Sequence, residues 1–311
     1  MYKRQLSISG TLTATVTDTL FQDNDAWHAG GLYFLGDAGA DPPFRLFNST
    51  FADNGWGNSP GSAFGGYAGA LRVVNAQAHI RGNVFAGNRA SNDYGAVYVY
   101  DSELELTGNA ITGTQCARTA GLYLHSVSPF TATNNIIADN HSTYYWLSNP
   151  AVNILFSSGR FLHNTIARNQ NFGSDVGVAY GLLVDFHSTV SLTNTILVSH
   201  TVGISVTAGS TAMLEGTLWG SGAWANGVDW GGAGSIVTGT VNLWGDPAFV
   251  DPDGGDYHLG PASAAIDAGV DAGVTTDIDG DARPIGSGYD IGADEAPIWK
   301  CYLPLVLKNH S

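Results

Sequence analysis

The sequence predicts an all-β protein wound as a right-handed parallel β-helix, a solenoid of about eight coils, and three observations carry that prediction. A short phrase returns at a nearly constant interval. Asn83, Asn109 and Asn135 stand 26 residues apart, Asn164 follows after 29 and Asn194 after 30, a period that marks a repeat architecture. Ahead of each copy lies a stretch in which apolar and polar residues alternate, the pattern of a strand. The 311 residues include 41 Gly but only four Glu and three Lys, the residues from which helix surfaces are usually built.

The first strand of each repeat is read from "GGLYFLG" at 30, "GALRVVN" at 69, "GAVYVYD" at 95, "AGLYLHS" at 120, "VNILFSS" at 152, "YGLLVDF" at 180 and "VGISVTA" at 202. Period-two alternation fixes the two faces of a strand. The inward pairs are therefore Leu32/Phe34, Leu71/Val73, Val97/Val99, Leu122/Leu124, Ile154/Phe156, Leu182/Val184 and Ile204/Val206. Short strands in turns of about 25 residues cannot bury an apolar side alone, so they stack on the next turn. The strict six-residue period of left-handed solenoids is absent, which favours the right-handed form.

Each repeat closes on N-x-[IF]. Asparagine tolerates the left-handed backbone of a sharp corner, and its amide both donates and accepts, so stacked copies form a ladder. Asn83, Asn109, Asn135, Asn164 and Asn194 are assigned to that structural role, with Phe85, Ile111, Ile137, Ile166 and Ile196 plugging the core beside them. Phe21, Phe51 and Leu218 read as degenerate copies in the outer turns.

Residues 1–5 are set aside as a leader foreign to the fold, 6–240 form the β-helix, 241–296 an end module and 297–311 a tail or anchoring motif. With 1–5 foreign to the fold and the first coil uncapped, a longer native N-terminus, able to carry an export signal, is expected to precede it. Cys116 and Cys301 permit one disulfide by count, but two unpaired thiols are expected. A net charge of −15 with no basic cluster excludes nucleic acid as a partner and disfavours anionic polysaccharide unless calcium bridges the charges. No apolar run approaches the ~20 residues of a transmembrane segment.

By its periodicity over 6–240 the chain resembles the right-handed parallel β-helix proteins of the pectate-lyase-like superfamily. The stretches "GDPAFVDPDGGDYHLGPASAAIDAG" (245–269) and "TDIDGDARPIGSGYDIGADE" (276–295) resemble the end module of bacterial surface β-helix proteins described as having a choice-of-anchor C-terminus. The final "YLPLVLKN" (302–309) is similar to a short terminal motif of such exported proteins. The resemblance implies an extracellular or cell-surface protein. It also supplies three enzyme templates: calcium-dependent lyase, hydrolase with clustered Asp, and epimerase with Asp, His and Tyr.

Outward positions of the first strand stack in two columns. One reads Tyr33, Arg72, Tyr98, Tyr123, Leu155, Leu183, Ser205 and the next Leu35, Val74, Tyr100, His125, Ser157, Asp185, Thr207. Adjacent coils lie ~4.8 Å apart, so Arg72, Tyr98, Tyr100 and Tyr123 form a stripe suited to stacking against sugar rings. His125 and Asp185 are the catalytic candidates, but they stand two coils apart, with Asp101 and His187 nearby. Tyr144, Tyr145 and Trp146 in the loop "HSTYYWLSNP" (141–150) form a second ligand-binding candidate. Asp277, Asp279 and Asp281 of "DIDGD" are candidate calcium ligands, with Asp290 and Asp294 able to complete a cage. Calcium is the only cofactor these residues suggest. Zinc-type Cys/His spacing and a phosphate-cradling Gly loop are both missing.

The residues therefore point to a secreted or cell-surface protein with a glycan-binding or structural and adhesive role, its partner a polysaccharide or cell-surface glycan. The alternative is a polysaccharide-active enzyme.

Overall fold

Alternating strands that cannot bury themselves do stack. A computed structural model describes residues 5–26, 28–55, 67–90, 94–142, 149–171 and 177–298 as a parallel β-solenoid of about eight turns. The proposed leader other than Gln5, Tyr144, Tyr145, Trp146, Cys301 and the 302–309 motif lie outside the described residues. Among those residues there is no α-helix, only the 3₁₀ turns Gly222–Trp224 and Pro252–Gly254.

Each coil contributes two to four strands, some running on through a corner, and like strands pair in parallel from turn to turn in three main columns. In the first column Leu6–Gly10 pairs with Leu32–Gly36, then Leu71–Val74, then the start of Val97–Thr107 and of Leu122–Thr133. Asn149–Leu155, Ala179–Asp185, Val202–Val206 and Val228–Gly231 continue it. In the third column Phe21, Phe51 and Phe85 occupy successive rungs with ring centroids 4.5 and 4.9 Å apart, followed by Ile111, Ile137, Ile166, Leu197 and Trp219.

The corners are held by side chains. Asn109 Oδ1 accepts from the backbone N and from Nδ2 of Asn83, both at 3.0 Å, and Asn109 repeats the pattern onto Asn135 at 3.0 Å. Asn135 does the same onto Asn164 at 2.9 Å. Asn83, Asn109, Asn135 and Asn164 are all buried in this ladder. The left-handed residue is not the ladder Asn but the one before it: Gly82, Gly108, Asn134 and His163, with φ of 66°, 62°, 53° and 53°.

A one-residue slip follows. Thr165 pairs with Ile196, so Thr195 holds the ladder position and Asn194, at φ 53°, joins the left-handed column. Leu197 and Trp219 consequently fill the core where Ile196 and Leu218 were expected, and the latter two face the end module. A second slip affects 149–156. Leu122 and Leu124 pair with Val152 and Ile154, which makes Val152/Ile154 the inward pair and leaves Phe156 50% exposed. Asn153 and Leu155, not Leu155 and Ser157, thus continue the outward columns, while Ser157 Oγ joins a serine ladder at 2.9 Å from Val127 N.

Beyond Gly245 the chain leaves the stack. The antiparallel hairpin Phe249–Asp251/Asp256–Leu259 and the Gly-rich segment after it fold back on the third column, burying Ile136, Ala167, Ile196 and Leu218 against Tyr257, Leu259 and Ile291. Buried carboxylates organise this module. Arg283 Nη1 donates to Glu295 Oε2 at 2.6 Å, and Asp290 accepts from Asp267 N and Ala296 N, both at 2.7 Å.

Candidate functional site: an aromatic corner

The stripe read from the sequence divides in two. At its upper end Arg72 is boxed in: its guanidinium carbon lies 5.3, 4.7 and 5.2 Å from the ring centres of Tyr33, Tyr67 and Tyr98, and Nη1 is 3.1 Å from His28 Nδ1. The Tyr94 ring covers Tyr98 at 4.7 Å and Tyr123 at 4.0 Å. Tyr98 and Tyr123 are therefore buried, and burial pushes the Tyr98 hydroxyl up to about 12. They point outward from the sheet yet form a packed cluster that supports its neighbours.

The lower end is open. Tyr100 and His125 meet edge to face at 5.0 Å, His125 stacks on Phe156 at 5.6 Å, and Phe156 stacks on Phe186 at 5.2 Å. Four rings on successive coils thus span roughly 14 Å along the solenoid axis. Phe156 and Phe186 are each 50% exposed. Their backbones are left-handed, with φ of 48° and 47°. The equivalent corner residues on other coils are Asn75, Asp101 and Ser126, with φ of 53°, 49° and 56°. Small polar side chains tolerate that conformation, whereas a bulky one costs about 1–2 kcal/mol. Two strained, exposed, stacked phenylalanines are the kind of local cost that accompanies function.

Asp185 fixes this turn: its Oδ1 accepts from Phe186 N at 2.9 Å and from Thr207 Oγ1 at 2.6 Å. Leu155 occupies the rung between His125 and Asp185, so the two catalytic candidates do not meet. Burial lowers the His125 pKa, with Asp101 opposing, which favours the neutral ring.

A second depression, of about 610 Å³, has Gly87 and Gly113 among its lining, with His141, Gln170 and the turn Asp253–Gly255. Its charged groups hold one another. Arg168 Nε donates to Asp139 at 2.9 Å and Nη1 to Asp253 at 2.7 Å, and the Tyr257 hydroxyl donates to Asp139 at 2.6 Å. This clamp ties the end module to the flank. The sequence carried a signal for it, since Asp139 and Arg168 occupy the same place in "NNIIADN" and "HNTIARN".

The Asp277–Asp281 segment does not present three free carboxylates. Asp277 Oδ1 accepts from Asp279 N and Asp281 N at 3.0 and 2.8 Å, and Oδ2 from Glu295 N at 3.1 Å. Asp290 likewise serves backbone amides.

Residues 30–218 match the family described as Right handed beta helix region. The chain belongs to that family. Right-handed β-helices share a framework rather than one chemistry, and none of the curated proteins compared with this one matches it. Among solved structures, the crystal structure of pectate lyase Pel9A is similar at 14% identity and a TM-score of 0.34, covering 91% of this chain and 87% of that one. No helix among the described residues is long and apolar enough to cross a membrane.

Proposed function

We propose that this β-helix binds a neutral glycan chain laid along the Tyr100–His125–Phe156–Phe186 corner, and that it does so outside the cytoplasm or at a cell surface. The observation that carries the reading is the pair of half-exposed phenylalanines stacked at 5.2 Å in left-handed backbone. Aromatic faces spaced at the coil repeat suit a chain of sugar rings, and the buried tyrosines behind them keep the platform rigid. The net charge of −15 disfavours acidic polysaccharides. The extracytoplasmic setting is supported by the likeness of 245–295 to the end modules of surface proteins. A polysaccharide-active enzyme remains the alternative, and the same ligand panel addresses it.

The test is affinity electrophoresis through gels containing neutral polysaccharides or polyuronates, comparing wild type with a Phe156→Ala/Phe186→Ala variant. Retardation by a neutral polymer, lost in the variant, supports the reading. Equal mobility of the two proteins in every gel refutes it, and shortened or unsaturated products released by wild type move the chain to the enzyme class.

A further inference from the structure

Three segments of the end module converge on His258: its own strand Asp256–Leu259, the turn containing Asp279, and the stretch containing Asp294. His258 Nδ1 lies 2.5 Å from Asp256 Oδ1, and Nε2 lies 2.7 Å from Asp279 Oδ2. One donor atom each from His258, Asp279 and Asp294 falls within 4.8 Å of the others. Asp294 is only 5% exposed. Its Oδ2 accepts from Leu259 N at 2.7 Å, while its other oxygen has no hydrogen-bond partner among the described residues. That second oxygen is reached by solvent and is therefore open to a ligand beside His258 and Asp279.

We propose that His258, Asp279 and Asp294 form a site for a divalent transition-metal ion of the zinc class, with Asp256 orienting the imidazole. One imidazole and two carboxylates favour such an ion over calcium, which prefers an all-oxygen cage. Asp256 accepting from Nδ1–H leaves the Nε2 lone pair directed at the ion, the usual carboxylate–histidine–metal relay. Zinc bonds of about 2.0–2.1 Å place tetrahedral ligands about 3.3 Å apart. Nε2 and Asp279 Oδ2 therefore separate slightly, and the proton they share passes to solvent as the ion binds. The side chains of His258 and Asp279, 40% and 55% exposed, leave an approach path and a fourth position for water. Bound there, the ion ties the hairpin to both Gly-rich turns of the module that covers the flank.

The experiment uses the whole chain after chelator treatment, titrated with zinc and, as a spectroscopic probe, cobalt. Expected are one equivalent bound per chain, a higher melting temperature, and at least tenfold weaker binding in His258→Ala and in Asp279→Asn. Both side chains are substantially exposed, so these variants should fold. Asp281→Asn should bind as wild type does. The proposal is overturned by the absence of saturable zinc or cobalt uptake, by uptake unchanged in His258→Ala, or by calcium binding that Asp281→Asn abolishes.

Discussion

His200 stands in for an asparagine in a second amide column. Asn169 Nδ2 donates to its Nε2 at 3.2 Å, and its own backbone N donates to Asn226 Oδ1 at 3.0 Å. The same column carries Asn54, Asn88 and Asn140. His163 plays the matching part beside Asn194, whose Nδ2 donates to its Nε2 at 3.0 Å. Both rings must be neutral to accept.

That requirement makes the corners acid-labile. Burial, foremost, lowers His200 to about 4 and His163 to about 3. Both folded values lie below the unfolded ~6.5, so the unfolded chain binds more protons in between. Their contribution is complete above pH ~6.5 and is lost as pH falls toward 4 and 3, roughly 3 kcal/mol or more per ring at 1.36 kcal/mol per unit. Asp290, raised to about 6 by burial, acts in the opposite sense, so the variant comparison isolates the histidine. His200→Asn should continue the ladder and flatten the acid limb of stability measured by urea melts from pH 8 to 4. An unchanged limb would mean that His200 does not titrate with folding.

Asn109 both accepts from Asn83 and donates to Asn135 in a fully buried site. Asn109→Ala should therefore lower unfolding free energy by about 2 kcal/mol or more, since each buried unsatisfied group costs about 1–3 kcal/mol. Denaturant melts matching wild type would show that the ladder contributes nothing at this rung.

Phe156 is expected to trade stability for binding. Phe156→Asn relieves the left-handed strain, so the melting temperature should stay constant or rise by a few degrees. Retardation in neutral-glycan gels should fall at the same time. A clear drop in melting temperature would identify Phe156 as a packing residue instead.

The Tyr257 hydroxyl on Asp139, at 2.6 Å, joins the end module to the coil surface. Tyr257→Phe keeps the ring contacts with Phe249 and removes only that bond, worth about 1 kcal/mol. Amide exchange should speed up across 249–259 and remain unchanged at the Asn109 rung. Uniform acceleration would mean that the module and solenoid unfold as one unit.

The solenoid, its inward faces other than Ile154/Phe156 and four of the five named ladder residues were legible in the sequence because an interval of 26 to 29 residues repeats them. The slip at Asn194 was not, since alternation fixes a strand's faces but not how many residues round a corner. Phe156 was misread for the same reason: the strand begins at Asn149, ahead of the quoted phrase. Burial of Tyr98 and Tyr123 depends on Tyr94, a residue outside the stripe, and no periodic signal announces it. The end module repeats nothing, so its fold-back and the convergence at His258 had no pattern to betray them.

The central claim is that a glycan lies along the aromatic corner, and amide exchange with and without a retained neutral oligosaccharide tests it most directly. The account predicts protection confined to residues 100–101, 125–126, 155–157 and 185–187, which share that corner on successive coils. Protection centred instead on Gly87, Gly113 and Asp253, or none at all with a ligand that binds, would contradict it.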